Sequence, residues 1–320
     1  MFVGFPDRGV SDMLSRMLRS LFSVLLLGLV PSTNIAMPDA SLLALPDVAP
    51  PAVQMEVMAR LSASGVIVMD AQSGQRVYGR QYDVQRPMAS LTKLMTALLI
   101  VEHHQLSEVV RVPQGIDPMQ SAVRLPGGEQ FTVGDLLSAM LIASANDAAV
   151  TLAVFHSGST EAFVTEMNAR AAMLGLQDTT FENPVGLDSP SQRSTPQDLA
   201  WLTMAAMRHP SVQRRLGMRG AIITSLQGST VNLSHTYTLL HAAKPLDDFA
   251  AIVLAGKTGT TMGANQCLMS VVEEGHRRYI VVLLDSLQRY QDMNTILAAL
   301  EHRDENESVS LRVQQGGIRP

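Results

Sequence analysis

A serine and a lysine three residues apart are the strongest chemical feature of this sequence. Ser90 and Lys93 follow Pro87 and open an apolar run that predicts a buried helix. On a helix, residues three apart lie on one face, about one turn from each other. A lysine held there in its neutral form can take the proton of the serine hydroxyl, which makes the serine a nucleophile. Taken alone, the pair also fits a helix cap followed by a surface lysine.

Two further motifs follow in chain order. Ser144 and Asn146 lie in a polar break between two apolar helical stretches, and Lys257-Thr258-Gly259 ends an apolar strand-like run. Each motif is weak by itself. Their order, wide spacing and local context together match one known arrangement of catalytic motifs.

Lysine is rare in this chain, and its placement supports a chemical role for the motifs. The three lysines are Lys93, Lys244 and Lys257, while the other strongly basic side chains are all arginines. Arginine stays protonated in proteins, whereas lysine can be tuned to act as a base. Because two of the three lysines fall in the motifs, a chance match of the whole set is improbable.

The chemistry of the motifs predicts a division of roles around the Ser90 hydroxyl. Burial and the nearby charge of Lys257 would both lower the pKa of Lys93, so that it can act as a base. We expect Ser144 to relay a proton to the leaving amine. We expect Asn146 to hold both Lys93 and an amide of the substrate.

The strand that carries Lys257 is expected to bind the substrate through Thr258, Gly259 and Thr260. Gly259 would let a substrate backbone lie close to the strand edge, because it has no side chain. The backbone N–H groups of Ser90 and Thr260 would form the oxyanion hole.

The composition bounds the class of protein. The chain has 320 residues, of which 46% are hydrophobic and 17% charged, with a formal net charge of -5 and no basic block. This is enough for a large core in one or two domains, and it argues against nucleic-acid binding. Cys267 is the one cysteine, so no intrachain disulfide and no cysteine-based metal site is expected. We expect no metal and no organic cofactor.

The N-terminus has the pattern of an export signal. Arg16 and Arg19 precede a short apolar run at 21–30, which Pro31 ends. We therefore expect residues 1–36 to be a signal peptide and the protein to act in the periplasm or on the cell-wall side of the membrane. The cleavage sites near 36 and 40 lack the preferred small residue three positions upstream, so an uncleaved anchor is the alternative. Contact with a membrane is expected only through that segment.

The rest of the chain divides into three predicted parts. Residues 37–60 are rich in Pro and Ala and predict a linker, with an ordered N-terminal arm as the alternative, and 302–320 form a polar tail. Between them, 61–301 is predicted to be the catalytic domain. Closely spaced strands at both ends of that domain predict an antiparallel sheet, with helices in between. Thr132 and Asp135 form the pattern of a capping box at the start of one helix.

The motifs and their surroundings give a family resemblance. The chain resembles the low-molecular-weight penicillin-binding proteins, the serine D-alanyl-D-alanine carboxypeptidase and endopeptidase family. The likeness covers about residues 62–300. Beyond the three motifs it includes Arg86–Ala97, Met167–Ala169, Met173–Leu176, Phe181–Asp188, Ser194-Thr195 with Asp198, and Gln266–Leu268.

The resemblance implies a fold, a substrate and partners. The implied fold is α/β (α+β), a sandwich like that of the serine β-lactamases, with an antiparallel sheet flanked by helices and a helical subdomain. The implied activity is hydrolysis of D-alanyl-D-alanine bonds of peptidoglycan stem peptides through an acyl-enzyme on Ser90. The implied partners are peptidoglycan peptides and β-lactam antibiotics, which acylate the same serine.

Departures from the family pattern leave the finer activity open. Only a polar tail follows the predicted domain, as in the family's endopeptidases, whereas Ser144-Ala145-Asn146-Asp147 is closer to the carboxypeptidase form of that motif. Gln197 stands where the family often has an arginine. Arg289 is therefore a candidate for binding the substrate carboxylate, with an exposed arginine at the start of the last helix as the alternative.

Two competing functions and three residues outside the motifs complete the interpretation. Glu182 lies where serine β-lactamases place a water-activating glutamate, so a β-lactamase is one alternative; the other is a non-catalytic cell-wall protein that binds penicillin. A solvated loop carboxylate is the simpler interpretation of Glu182. We expect Cys267 to be an inert buried thiol and Asp147 to cap the helix that follows it.

Overall fold

The structure is a computed structural model that describes residues 59–115, 123–241 and 251–300. The predicted export signal, the polar tail and the linker up to residue 58 lie outside these described residues. The strands are β1 (Gly65–Asp70), β2 (Arg76–Arg80), β3 (Val109–Arg111), β4 (Gln130–Thr132), β5 (Gly220–Thr224), β6 (Thr230–Ser234), β7 (Ile252–Thr261), β8 (Asn265–Glu274) and β9 (Arg277–Ser286). The helices are α1 (Lys93–His103), α2 (Val133–Ile142), α3 (Asn146–Ser157), α4 (Thr160–Met173), α5 (Pro196–Met207), α6 (Pro210–Leu216) and α7, which covers 289–300.

A five-stranded antiparallel sheet in the order β2-β1-β9-β8-β7 forms the middle layer. Two of its strands, β1 and β2, come from the N-terminal end of the predicted domain, and the other three come from its C-terminal end. The strand patterns in the sequence indicated both groups. β3 pairs with β4, and β5 pairs with β6, in two separate hairpins of two strands each. The predicted antiparallel sheet flanked by helices is confirmed.

Each face of the sheet has its own core, because successive side chains of a strand point to opposite faces. In β1, Ile67 and Met69 pack into the core that contains helices α1 to α6. Val66 and Val68 belong to the core on the other face, with Ile296 and Leu297 of α7. The fold therefore has three layers, with the sheet between α7 and the larger group of helices.

Helices α2 and α3 are joined by a sharp break that contains Ser144 of the second motif. The predicted capping box starts α2, since Thr132 Oγ1 accepts from Asp135 N and the Asp135 carboxylate accepts from Thr132 N. Ser144 then adopts a left-handed backbone with φ of 59° between the two helices. This conformation is uncommon for a residue with a side chain.

Two elements differ from the predicted ones in ways that matter for the site. Ser90 lies in a 3-10 turn, Ala89–Thr92, rather than inside the helix, which begins at Lys93. β7 does not end at the lysine motif but continues past Gly259 to Thr261. The motif thus lies in the body of an edge strand. Within the described part of the chain, no helix combines the length and the apolar character that a membrane span requires.

Candidate active site

The nucleophile candidate Ser90 lies at a point where three chain segments meet closely. Ala89 before it has a positive φ of 48°. A Cβ built on Gly186 would collide with the carbonyl oxygen of Ala89, and one on Gly259 would lie 2.9 Å from Ser90 N. Only glycine fits at either position, so these two glycines allow a loop and β7 to close on both sides of the 3-10 turn.

Lys93 joins this turn to the rest of the site. Its Nζ donates to Ser90 Oγ at 3.0 Å, to Asn146 Oδ1 at 2.7 Å and to the carbonyl oxygen of Val185 at 2.5 Å. The Lys93 side chain is fully buried. The sequence prediction that Asn146 holds Lys93 therefore agrees with the contacts found.

The environment of Lys93 lowers its pKa well below the usual lysine value. Burial is the largest cause, because a charged amine loses its hydration, and the positive charge of Lys257 adds to it. The carboxylate of Asp147 acts in the opposite direction but is the weakest of the three effects. A neutral amine at this position can accept the Ser90 proton across the same 3.0 Å contact.

Lys257 forms the second half of the site. It is fully buried in β7, and its Nζ donates to Ser144 Oγ at 2.8 Å and to the carbonyl oxygen of Thr258 at 2.7 Å. Burial first, and the nearby charge of Arg289 second, lower the pKa of Lys257 to about 7. The structure thus brings the second and third motifs together through one hydrogen bond.

The hydroxyl of Thr258 is engaged inside the protein. Its Oγ1 donates to Thr236 Oγ1 at 2.6 Å, and the side chain is almost completely buried. Thr260, two residues further, is exposed at the open edge of β7. Of the two threonines predicted to contact the substrate, Thr260 is the accessible one.

Arg289 lies against the same strand. Its guanidinium Nη1 donates to the carbonyl oxygen of Gly259 and to Thr260 Oγ1, both at 2.8 Å. Its Nε atom is buried and has no hydrogen-bond partner among the described residues. Arg289 is at the start of α7 as predicted, but it is half-buried beside the motif rather than exposed in solvent.

Comparison with known proteins now decides the family. A family model described as D-alanyl-D-alanine carboxypeptidase matches residues 52–288. The chain belongs to this family. It is 31% identical over 227 residues to a D-alanyl-D-alanine carboxypeptidase of Bacillus subtilis, covering 69% of this chain and 57% of that one. It is 29% identical over 240 residues to a D-alanyl-D-alanine endopeptidase of Escherichia coli, covering 72% and 73%.

Solved structures of D-alanyl-D-alanine carboxypeptidases and penicillin-binding proteins share the fold. A carboxypeptidase of this name from Mycobacterium tuberculosis superposes with a TM-score of 0.67 at 28% identity, over 74% of this chain and 90% of that one. Penicillin-binding protein D2 of Listeria monocytogenes, in its ampicillin-bound form, gives 0.63 at 30% identity, over 75% and 98%. The predicted family and fold class are confirmed. The chain spans little more than half the length of the Bacillus relative.

Two residues outside the motifs, Glu182 and Cys267, have environments that bear on the predictions made for them. The Glu182 carboxylate accepts from Ser189 Oγ and from Ser191 N, so it is held within its own exposed loop. Hydrogen bonding to Ser189 lowers the pKa of Glu182. Cys267 is buried, and burial raises the pKa of its thiol to about 12, as expected for an inert thiol.

The prediction that Asp147 caps α3 is wrong. Ala145 is the cap residue, and it provides no side-chain cap bond. The Asp147 carboxylate is buried in the first turn, where it accepts from Leu125 N at 2.6 Å and Ala148 N at 2.8 Å. It therefore ties the segment before β4 to α3, and burial raises its pKa.

Sequence reasoning missed two contributors to the site. The Val185 carbonyl is a third acceptor for Lys93, and Thr236 holds the hydroxyl of Thr258. A backbone carbonyl cannot be inferred from residue types, so the match of Phe181–Asp188 to the family was the available signal.

No group of metal-ligating side chains suited to an ion occurs in the described ranges. The two lysines also make the site itself unfavourable for a cation.

Proposed function

We propose that this protein is a serine DD-peptidase that hydrolyses D-alanyl-D-alanine bonds of peptidoglycan stem peptides through an acyl-enzyme on Ser90. The observation that carries the proposal is the contact of buried Lys93 with both Ser90 Oγ and Asn146 Oδ1. The bond between Lys257 and Ser144 beside it completes a nucleophile, a base and a proton relay. Membership of the D-alanyl-D-alanine carboxypeptidase family supports the substrate.

Acylation begins with proton transfer from Ser90 to neutral Lys93. The Ser90 oxygen then attacks the carbonyl carbon between two D-alanines, and negative charge develops on the carbonyl oxygen. The N–H groups of Ser90 and Thr260 are the proposed donors to that oxygen. The close approach of Gly259 to Ser90 N supports this pairing, because it brings β7 against the 3-10 turn.

The leaving amine needs the proton that Lys93 has taken. Ser144 is the proposed relay, since its hydroxyl is held by Lys257 Nζ at 2.8 Å and is only half-buried. Once the amine has left, Lys93 is neutral again and can take a proton from water. That water attacks the ester on Ser90, which releases the shortened peptide and restores the serine.

Arg289 and Thr260 are proposed to hold the terminal carboxylate of the substrate. Arg289 Nη1 lies 2.8 Å from Thr260 Oγ1, and Thr260 is exposed. A guanidinium beside a hydroxyl can bind a carboxylate with charge-assisted hydrogen bonds. Thr258 contributes by keeping β7 in place, because its hydroxyl bonds to Thr236.

The scissile bond lies at a peptide end in a carboxypeptidase and in a cross-link in an endopeptidase. Relatives with both names are about equally similar to this chain. We propose carboxypeptidase activity, with cross-link cleavage as a second activity of the same site. Digestion of purified cross-linked muropeptides distinguishes them: release of D-alanine reports the first, and loss of dimers reports the second.

The location and partners follow from this substrate. Peptidoglycan lies outside the cytoplasmic membrane, so the enzyme acts in the periplasm or on the cell-wall side, and residues 1–36 are the proposed export signal or anchor. β-Lactam antibiotics are the proposed inhibitors because they acylate the same serine. The ampicillin-bound Listeria protein supports this proposal.

The decisive test is Ser90→Ala. The variant is expected to lose D-alanine release from a pentapeptide and covalent labelling by fluorescent penicillin, while it keeps the wild-type melting temperature. Ser211→Ala, in the first turn of α6, is the matched control and should keep both activities. Release of D-alanine by Ser90→Ala would contradict the mechanism, and rapid release of cleaved penicillin by the wild type would favour a β-lactamase.

A further inference from the structure

A buried tyrosine on the α7 face of the sheet covers the strand that carries Lys257. Tyr237 is completely buried in the core on that face. A Cβ built on Gly256 would lie 2.1 Å from Cδ1 and 2.4 Å from Cε1 of Tyr237, so the ring rests directly on the backbone of Gly256. Gly256 is the residue before Lys257. The ring therefore supports β7 immediately beside the lysine, and only glycine fits beneath it.

The hydroxyl of Tyr237 extends this support to the neighbouring strand. Ser270 of β8 lies directly opposite Gly256 in the register of the two strands, and its Oγ donates to Tyr237 Oη at 2.8 Å. Lys257 lies opposite Met269, whose side chain packs into the core on the other face. Because successive side chains of a strand point to opposite faces, Tyr237 supports β7 from behind while Lys257 points into the site.

The residue before the tyrosine, Thr236, joins the same strand to the second motif. Its Oγ1 accepts from Thr258 Oγ1 at 2.6 Å, one residue beyond Lys257. Its backbone N donates to the carbonyl oxygen of Ile142 at 3.1 Å, at the end of α2 and two residues before Ser144. Two adjacent residues therefore hold the backbone segments that carry both partners of the 2.8 Å contact between Lys257 Nζ and Ser144 Oγ.

We infer that Tyr237 is a positioning residue that holds Lys257 at hydrogen-bonding distance from Ser144. It acts through the backbone of Gly256 and the bond to Ser270 rather than on the reacting atoms. The inference rests on the proposed function, because that function assigns Lys257 and Ser144 to the proton relay. Without the ring, β7 can move into the vacated space, so that the Lys257 ammonium leaves Ser144 and water reaches it. A misplacement of about 1 Å at such a contact can slow a reaction by about a hundredfold.

Substitution of Tyr237 by leucine is the test, and Tyr279→Leu is the matched control. Tyr279 is buried in the same core, but it lies on β9, two strands away from β7. Both variants lose a buried ring from one core and are expected to lose similar stability, which chemical unfolding measures. A difference between them at the active site therefore reports the position of Lys257 rather than a general weakening of the fold.

Lysine NMR gives a readout that does not depend on turnover. The chain contains three lysines, so isotope labelling of their side chains gives few signals, and the Lys257 signal is the one lost in Lys257→Gln. In the wild type this signal should titrate with the lowered pKa of Lys257, about 7. In Tyr237→Leu the midpoint should rise by about one pH unit, because burial is the main cause of the low pKa and a looser strand admits water. Tyr279→Leu should leave the midpoint unchanged.

Acylation by benzylpenicillin gives the functional readout. Its rate should fall about tenfold in Tyr237→Leu and stay within about twofold of the wild type in Tyr279→Leu. Gly256→Ala is a second variant that disturbs the same contact with the tyrosine still in place. Because the added methyl group would collide with the ring, Gly256→Ala should also slow acylation and raise the midpoint of the Lys257 signal.

The two measurements separate this inference from the proposed function. A Lys257 signal that titrates alike in the wild type, Tyr237→Leu and Gly256→Ala would overturn the inference, and so would equal acylation rates in Tyr237→Leu and Tyr279→Leu. A wild type that benzylpenicillin does not acylate, with a Lys257 midpoint that still depends on Tyr237, would contradict the proposed function and leave the positioning of Lys257 standing.

Discussion

At the scale of single residues, the proposed mechanism depends on two buried lysines. In it Lys93 must lose its proton to act as a base, whereas Lys257 serves as a cation that holds Ser144 and lowers the pKa of Lys93. Burial lowers both pKa values, so the site depends on keeping one lysine neutral and the other charged. Two arginines in these positions could not do this, since arginine stays protonated.

The first prediction concerns Lys257→Gln and the pH dependence of acylation. Loss of the Lys257 charge removes one cause of the low pKa of Lys93, so that pKa rises. The acylation rate rises with pH as Lys93 loses its proton, and the midpoint of this rise should therefore shift to a pH about one unit higher. The rate is measured with benzylpenicillin by mass spectrometry. Lys257→Arg keeps a cation and should keep the midpoint, and an unmoved midpoint in the Gln variant would contradict the coupling.

The second prediction concerns Gly186, which faces the 3-10 turn. Its φ is 93°, and an added Cβ would meet the backbone of Ala89 and Ser90. Gly186→Ala should lower the free energy of unfolding by about 3 kcal/mol, from backbone strain and the clash together. Penicillin acylation should fall as well, because the neighbouring Val185 carbonyl holds Lys93.

Gly175→Ala is the matched control for Gly186. Gly175 also has a positive φ, of 73°, but nothing lies within 4 Å of its added Cβ. The Gly175→Ala substitution should therefore lower the free energy of unfolding by only about 1 kcal/mol, which is the cost of the backbone conformation alone. Chemical unfolding measures both variants, and equal losses would mean that the contact with Ala89 is unimportant.

At the scale of elements, one carboxylate joins three of them. Asp292 of α7 is buried and accepts from Ser62 N at 2.7 Å and Ala63 N at 2.9 Å, before β1. It also accepts from Ser286 Oγ at 2.6 Å, at the end of β9. This network fixes the start of the helix that carries Arg289.

The third prediction follows from that network. Asp292→Ala leaves the buried N–H of Ala63 and the partly buried N–H of Ser62 without this acceptor and should lower the free energy of unfolding by about 3 kcal/mol. Asp83→Ala is the control, because Asp83 is exposed, and it should stay within about 0.5 kcal/mol of the wild type. Denaturant titration compares them. A loss in Asp292→Ala no larger than the control would contradict a structural role for the network.

Much of the element order was predictable from residue patterns, and the exceptions have physical reasons. The capping box at Thr132 and the paired terminal strands follow local rules that the sequence displays directly. The 3-10 turn at Ser90 does not, because its geometry depends on Gly186 and Gly259 approaching from distant segments. Tertiary contact, rather than local preference, sets this turn.

The candidate site was predictable where chemistry needs a particular side chain. Ser90 and Lys93 are in contact, as their spacing predicted, and so are Lys257 and Ser144, which are far apart in the chain. The cap assigned to Asp147 was wrong, because its carboxylate turns to the N–H of Leu125. A partner 22 residues away cannot be inferred from the pattern at a helix end.

At the scale of the whole molecule, the site lowers the stability of the fold that holds it. Ser144 and Ala89 have left-handed backbones, and Lys93 and Lys257 have no exposed surface. Such features are unfavourable and persist only where surrounding packing enforces them. The sheet and the two cores on its faces provide that packing. The charge state of the lysines should therefore be visible in the unfolding of the entire domain.

The fourth prediction is that stability rises with pH between about 7 and 9, partly through Lys257. Its pKa is lowered to about 7 in the folded protein, from the ordinary lysine value of 10.5, so between these two values the unfolded chain binds one more proton there. Each such group raises the free energy of unfolding by up to about 1.4 kcal/mol per pH unit. Above pH 9 the unfolded Cys267 thiol loses its proton first, which acts in the opposite direction.

Chemical unfolding of the wild type and Lys257→Met at pH 7, 8 and 9 isolates the contribution of this lysine. The variant should be the more stable protein at pH 7, because methionine fills the space without a charge to desolvate. The free energy of unfolding of the variant should rise less steeply with pH, with a slope smaller than that of the wild type by about 1 kcal/mol per pH unit. The difference in stability between the two proteins therefore shrinks as pH increases. Parallel curves would mean that Lys257 keeps an ordinary pKa in the folded protein, and Lys257 would then stay charged beside Lys93 throughout this pH range.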